Sequence, residues 1–117
     1  MYNATYFSKD ELRCKCGCGK YNIDDDFLEK LDTARGHSNY WYYITSGCRC
    51  KSHNEKVGGV DTSLHLKGEA VDIWANTDHK RYNIIQGLIN AGFTHIGISS
   101  GGFVHVDASS RKAVWLY

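Results

Sequence analysis

The sequence predicts an α+β fold: two helices packed on a small, mainly antiparallel sheet. Two segments, 24–35 and 77–90, repeat apolar residues at helical spacing. Several short segments between and after them are β-branched or aromatic and alternate in polarity. No apolar run approaches the ~18 residues of a membrane span.

Residues 7–20 carry three cysteines and closely spaced turn formers, and read as a compact loop. Asp24 suits an N-cap, acidic residues fill the next turn, and Phe27, Leu28, Leu31 and Ala34 give the apolar stripe of the first helix. Trp41 to Thr45 reads as a strand ended by Ser46-Gly47. Residues 50–69 are polar, with Gly58-Gly59 in the middle, and read as a long loop of the kind that carries function. Ala70 to Trp74 alternates, with Val71 and Ile73 on one face and Asp72 on the other. Thr77 or Asp78 caps a second helix that runs to about Asn90 on Ile84, Ile85, Leu88 and Ile89, and Gly92 stops it. Short strands follow at Thr94 to Ile98, Phe103 to Asp107 and Ala113 to Leu116, with Gly101-Gly102 suited to a hairpin turn.

The 117 residues make one domain, 1–117, long enough to bury a core. With 42% hydrophobic and 23% charged residues the composition is that of an ordinary globular protein. A net charge of +1 argues against a dedicated nucleic-acid binder, though a locally basic cleft for an anionic substrate stays open. The first ten residues have neither a basic region nor an apolar one, so no secretory signal is read. The expectation is a monomer, made in the cytoplasm without a signal peptide and kept there or released by other means, with no nucleic-acid or membrane partner. Eight Tyr and three Trp are many for this length. Most suit a core and its rim; a cleft for an extended peptide or sugar uses the same rings.

Two stretches carry chemistry. Ser63-Leu64-His65-Leu66-Lys67-Gly68-Glu69-Ala70-Val71-Asp72-Ile73 holds an imidazole and a carboxylate, and Phe103-Val104-His105-Val106-Asp107 holds a second imidazole. A lone His in a strand is usually a hydrogen-bonded core residue. Several polar groups of metal-ligand chemistry, each inside apolar strand sequence, cost folding free energy unless they satisfy one another or an ion. His65 in the loop before a strand, Asp72 on that strand and His105 on another can converge on one divalent metal. Three protein ligands leave a fourth position open, as in a catalytic zinc site. Asp107, two residues after His105, shares its strand face.

The order of these blocks resembles the M15 group of zinc peptidases, of the short D-Ala-D-Ala carboxypeptidase-like kind. The likeness runs through Phe7, Glu11-Leu12-x-Cys14, Ser46-Gly47-x-Arg49, His53-Asn54-x-x-Val57-Gly58-Gly59-Val60, Ser63-x-His65-x-x-Gly68-x-Ala70-Val71-Asp72-Ile73, Gly92-Phe93-x-x-Ile96-Gly97-Ile98, Phe103-Val104-His105-Val106-Asp107 and Trp115-x-Tyr117. It implies the hedgehog/D-Ala-D-Ala peptidase-like fold, Zn2+ held by His65, Asp72 and His105, and hydrolysis of peptide bonds in bacterial peptidoglycan. In many relatives a Glu or Asp three residues before the last His is the general base; Gly102 stands there in this chain. Asp107 then either replaces that base or orients a ligand His. By the same likeness Arg49 binds a substrate carboxylate, as a guanidinium can do bidentately, and Ser63 bonds the substrate backbone; a surface Arg and a turn Ser are the plainer readings. His37 and His79 flank helix ends and read as solvated. His53 and His95 have the chance to line the cleft and stabilise an oxyanion.

Cys14, Cys16, Cys18, Cys48 and Cys50 are odd in number. They read as buried thiols packing a loop, as a second, structural metal site using four of the five, or as disulfides formed after release. The leading function is a zinc peptidase of the bacterial wall, of the kind phages release at lysis. One alternative keeps the fold and zinc without catalysis, as a wall-binding or phage-tail module, and the glycine at 102 supports it. Another is a Cys-rich zinc module that binds protein or nucleic acid, against which the near-neutral charge speaks.

Overall fold

The computed structural model describes residues 2–117. Its elements in chain order are α1 (Lys9–Leu12), α2 (Asp25–Ser38), β1 (Ile44–Ser46), α3 (Lys51–Lys56), a 3-10 turn (Leu64–Lys67), β2 (Ala70–Trp74), α4 (Asp78–Asn90), β3 (His95–Ile98), β4 (Phe103–Asp107) and β5 (Ala113–Leu116). The five strands form one sheet in the order β1-β2-β4-β3-β5. All pairings are antiparallel except β3 with β5. The fold is α+β, as the sequence predicts.

Both long helices begin where their caps lie. The Asp24 side chain accepts from the Phe27 amide and that of Thr77 from the Lys80 amide. Their apolar stripes, Phe27, Leu28, Leu31 and Ala34 with Ile84 and Leu88, meet each other and one face of the sheet. That face is Val71 and Ile73 of β2, Val104 and Val106 of β4 and Ile96 of β3, all fully buried. Tyr42 closes the core, its hydroxyl donating to the Ile84 carbonyl at 2.9 Å. The alternation of β2 and β4 sends Asp72, His105 and Asp107 to the opposite face, where the site lies.

The structure corrects the sequence reading in three places. Residues 7–20 contain α1, built on a reciprocal cap in which the Ser8 hydroxyl accepts from the Glu11 amide and the Glu11 carboxylate accepts from the Ser8 amide. The strand read at 41–45 lies at Ile44–Ser46, with an irregular pairing to β2 between Ile44 and Ser46; Trp41 and Tyr43 stay exposed. The segment 50–69 is not one loop. It holds α3 and the 3-10 turn, which polar contacts stabilise: Asn54 is buried and donates from its amide nitrogen to the Val60 carbonyl.

Leu31 sits wholly buried between the helices and the sheet. Its replacement by Ala is expected to lower unfolding free energy by about 3 kcal/mol, as deletion of a buried branched side chain leaves a cavity. Urea denaturation measures this, and a loss below about 1 kcal/mol would contradict the packing described.

Candidate metal centre

β2 and β4 pair in a register that sets Asp72 opposite His105. The 3-10 turn adds His65 from just before β2. The three side chains offer one ligand atom each within 4.8 Å of one another. Asp72 Oδ1 lies 3.4 Å from His65 Nε2 and 2.9 Å from His105 Nδ1. Ligands about 2.0–2.1 Å from a tetrahedral ion stand about 3.3 Å apart; the His65 spacing is close to this, and the His105 spacing is that of a hydrogen bond.

The far nitrogen of each imidazole is anchored. His65 Nδ1 donates to the Gly47 carbonyl at 2.8 Å, which turns Nε2 toward Asp72. His105 Nε2 donates to Asp107 Oδ2 at 2.7 Å, which turns Nδ1 toward Asp72. Asp107 is buried and engaged on both oxygens: Oδ1 accepts the Ser109 amide at 2.9 Å, and His95 Nδ1 lies 2.9 Å from each oxygen. A ligand imidazole whose other N–H meets a carboxylate or carbonyl is the usual outer support of a metal site. The donor set of two nitrogens and a carboxylate oxygen thus fits a divalent ion of the zinc type.

Arg49 reaches the same carboxylate from the segment after β1. Its Nη2 donates to Asp72 Oδ2 at 3.2 Å, its Nε to Ser46 Oγ at 3.0 Å and its Nη1 to Asn54 Oδ1 at 3.1 Å. A guanidinium has five N–H donors, so donor capacity remains after these three bonds. The Ser63 hydroxyl caps the 3-10 turn by accepting from the His65 amide. A shallow cleft of about 220 Å³ opens over the three ligands, walled by Arg49, Gly59, Phe103 and Tyr117.

Burial works to raise the Asp72 pKa, yet hydrogen bonds from His105 and His65, with their charges, hold the carboxyl well below the usual carboxylate range. Burial also works to lower that of His105, but its bonds to Asp107 and Asp72 win and lift it to about 9. Asp107 is held low by His105, the Ser109 amide and His95 against its own burial. Tyr117 is pushed up to about 12 by burial and by the Asp72 charge.

Of the residues singled out from sequence, the structure therefore joins His65, Asp72, His105 and Arg49 at one cleft and sets Asp107 directly behind His105. His37 and His79 are exposed, away from the cleft. His53 lies on α3, where its amide donates to the Cys50 sulfur. His95 belongs to the site through Asp107 and rests on Trp115, the ring centroids 4.4 Å apart. Its place could have been read from alternation, since it sits two residues before Gly97, which pairs with His105. A Cβ at Gly97 would meet the Trp115 ring at 2.8 Å, so the missing side chain makes room for that ring. Among the cysteines, Cys14, Cys16, Cys18 and Cys50 gather, whereas Cys48 is buried in the core and does not join them.

The family model described as Peptidase M15 matches residues 5–107, a span that includes all three candidate ligands, Arg49 and Asp107. The chain belongs to the peptidase M15 family. Membership makes it a metal-dependent peptidase. No curated protein matches the chain.

The raised pKa of His105 has a consequence for stability once any metal is removed by a chelator. The unfolded His titrates near 6.5 and the folded one near 9, so between these values the folded state keeps a proton that the unfolded chain has lost. The stabilisation from His105 is complete below about 6.5 and disappears as pH rises through about 9. Urea midpoints of the stripped protein should fall across that window, and His105→Gln should flatten the fall. A midpoint that holds or rises in the unsubstituted protein contradicts the pairing.

Proposed function

We propose that the chain is a zinc peptidase that hydrolyses peptide bonds in bacterial peptidoglycan, in the stem peptide or the cross-link. The observation that carries this reading is the pair of imidazoles, each anchored at one nitrogen and aimed with the other at the Asp72 carboxylate, on the floor of an open cleft. His65, Asp72 and His105 would hold the zinc. Bound there, it supplies Lewis-acid polarisation of a scissile carbonyl and lowers the pKa of water toward about 7.

The remaining roles fall to the chain's own side chains. Arg49 braces Asp72 Oδ2 and presents its spare N–H donors to a carboxylate of the substrate. Phe103 and Tyr117, with ring centroids 6.0 Å apart, flank an extended peptide on the other side. Asp107 acts as a positioning residue for His105 rather than as the proton acceptor, because it is buried and both its oxygens are engaged. The glycine at 102 is demanded by its turn: φ is 89°, in the left-handed region, so an acidic residue there would be strained. By this reading the protein is a monomer that acts on the wall after release during phage lysis, with a peptidoglycan peptide as its partner.

The direct test is mass spectrometry of muropeptides after incubation of purified peptidoglycan with the zinc-loaded protein, with and without chelator. Expected are chelator-sensitive fragments that His65→Ala does not produce. A protein that holds zinc but yields no fragment from several wall types would be a non-catalytic wall or tail module of this family.

Two substitutions separate the roles. Asp107→Asn should weaken zinc affinity by roughly 10–100-fold while saturating zinc restores turnover. Lost turnover with unchanged zinc affinity would make Asp107 the base instead. Arg49→Lys keeps a charge but loses the fork, so KM should rise with zinc retained; an unchanged KM removes Arg49 from substrate binding.

A further inference from the structure

We propose that Cys14, Cys16, Cys18 and Cys50 form a second, structural zinc site, separate from the catalytic centre and independent of its reading. Three of these thiols come from the loop after α1 and the fourth from the N-cap of α3. All four sulfurs lie within 4.8 Å of one another. Cys16 Sγ is 3.5 Å from Cys14 Sγ and 3.6 Å from Cys50 Sγ. Thiolates bound at about 2.3 Å to a tetrahedral ion stand about 3.8 Å apart. Pairwise oxidation would favour two close couples, whereas here each sulfur has the other three as neighbours.

Backbone amides also hold three of these sulfurs in place. The Cys50 amide donates to Cys14 Sγ at 3.4 Å, the Lys20 amide to Cys18 Sγ at 3.5 Å and the His53 amide to Cys50 Sγ at 3.4 Å. Gly17 and Gly19, with φ of 90° and 84°, let a chain with a cysteine at every second position curl around one point. Four soft sulfurs select zinc or iron over harder ions, and zinc is colourless where iron is not.

Such an ion would fasten the loop to the segment that carries Arg49. The Cys48 amide donates to the Leu12 carbonyl at 2.9 Å, and Lys20 Nζ donates to the carbonyls of Arg49 at 3.0 Å and Leu66 at 3.1 Å. A metal held in the folded state adds its binding free energy to stability. The site thus lies next to the segment that carries Arg49.

The test is zinc stoichiometry of the full chain, purified reduced and passed through gel filtration, by elemental analysis and native mass spectrometry. The double variant Cys16→Ser/Cys18→Ser, at two exposed positions, should hold one zinc ion fewer than the wild type and melt at lower temperature. His65→Ala should lose the other ion and keep this one. Cobalt loaded into the wild-type protein should show thiolate-to-metal charge-transfer absorption, a reading that needs no variant to fold. Equal zinc in the double variant and the wild type, or cobalt spectra without thiolate bands, overturns the proposal. So does a native mass showing that the four thiols have lost their hydrogens as disulfides. Should His65→Ala keep all its zinc while the cysteine variant loses one ion, the catalytic reading fails and this one stands.

Discussion

The pairing of β2 with β4 in one register is the constraint on which the rest of the structure depends. It sets Asp72 opposite His105 on one face and leaves Val71, Ile73, Val104 and Val106 to the core on the other. A slip of one residue would turn either the carboxylate or the imidazole under the helices and expose that strand's apolar residues. Burying a charged group there without partners costs far more than one hydrogen bond returns. The apolar face therefore specifies the register, and the register assembles the site.

The opposite face solves a different problem. It concentrates buried ionisable groups, each of which must be satisfied. Asp72 is held by both imidazoles and by Arg49, and each of these is held in turn from behind: His65 by the Gly47 carbonyl, His105 by Asp107, Arg49 by Ser46 and Asn54. Asp107 is itself held by His95 and the Ser109 amide. Such a network fixes rotamers before any ligand arrives, which reduces the ordering cost of binding. The near match of the spacing between His65 and Asp72 to that of ligands on a tetrahedral ion is a consequence of this support.

The parts of the fold legible in the sequence were those with a strong period. The caps Asp24 and Thr77, the stripes of both long helices and the alternating strands β2, β4 and β5 lie where the apolar pattern puts them. The convergence of His65, Asp72 and His105 was legible because each is a polar interruption in apolar strand or strand-flanking sequence. The parts that were not legible are held by polar contacts, which leave no hydrophobic period. Helix α3 has a single buried residue, Asn54, and depends on Cys50 and Arg49. The role of His95 rests on a long-range bond to Asp107. Choosing which four cysteines meet needed the chain path of both loops; only then is Cys48 seen in the core.

The central claim is that this register builds a metal centre from His65, Asp72 and His105. Anomalous scattering at the zinc edge from crystals of the zinc-loaded protein tests it most directly. The expected map has a peak in contact with His65 Nε2, His105 Nδ1 and an oxygen of Asp72, with Asp107 still on His105 Nε2. Zinc bound with high occupancy elsewhere, and no peak between these three side chains, would contradict the account.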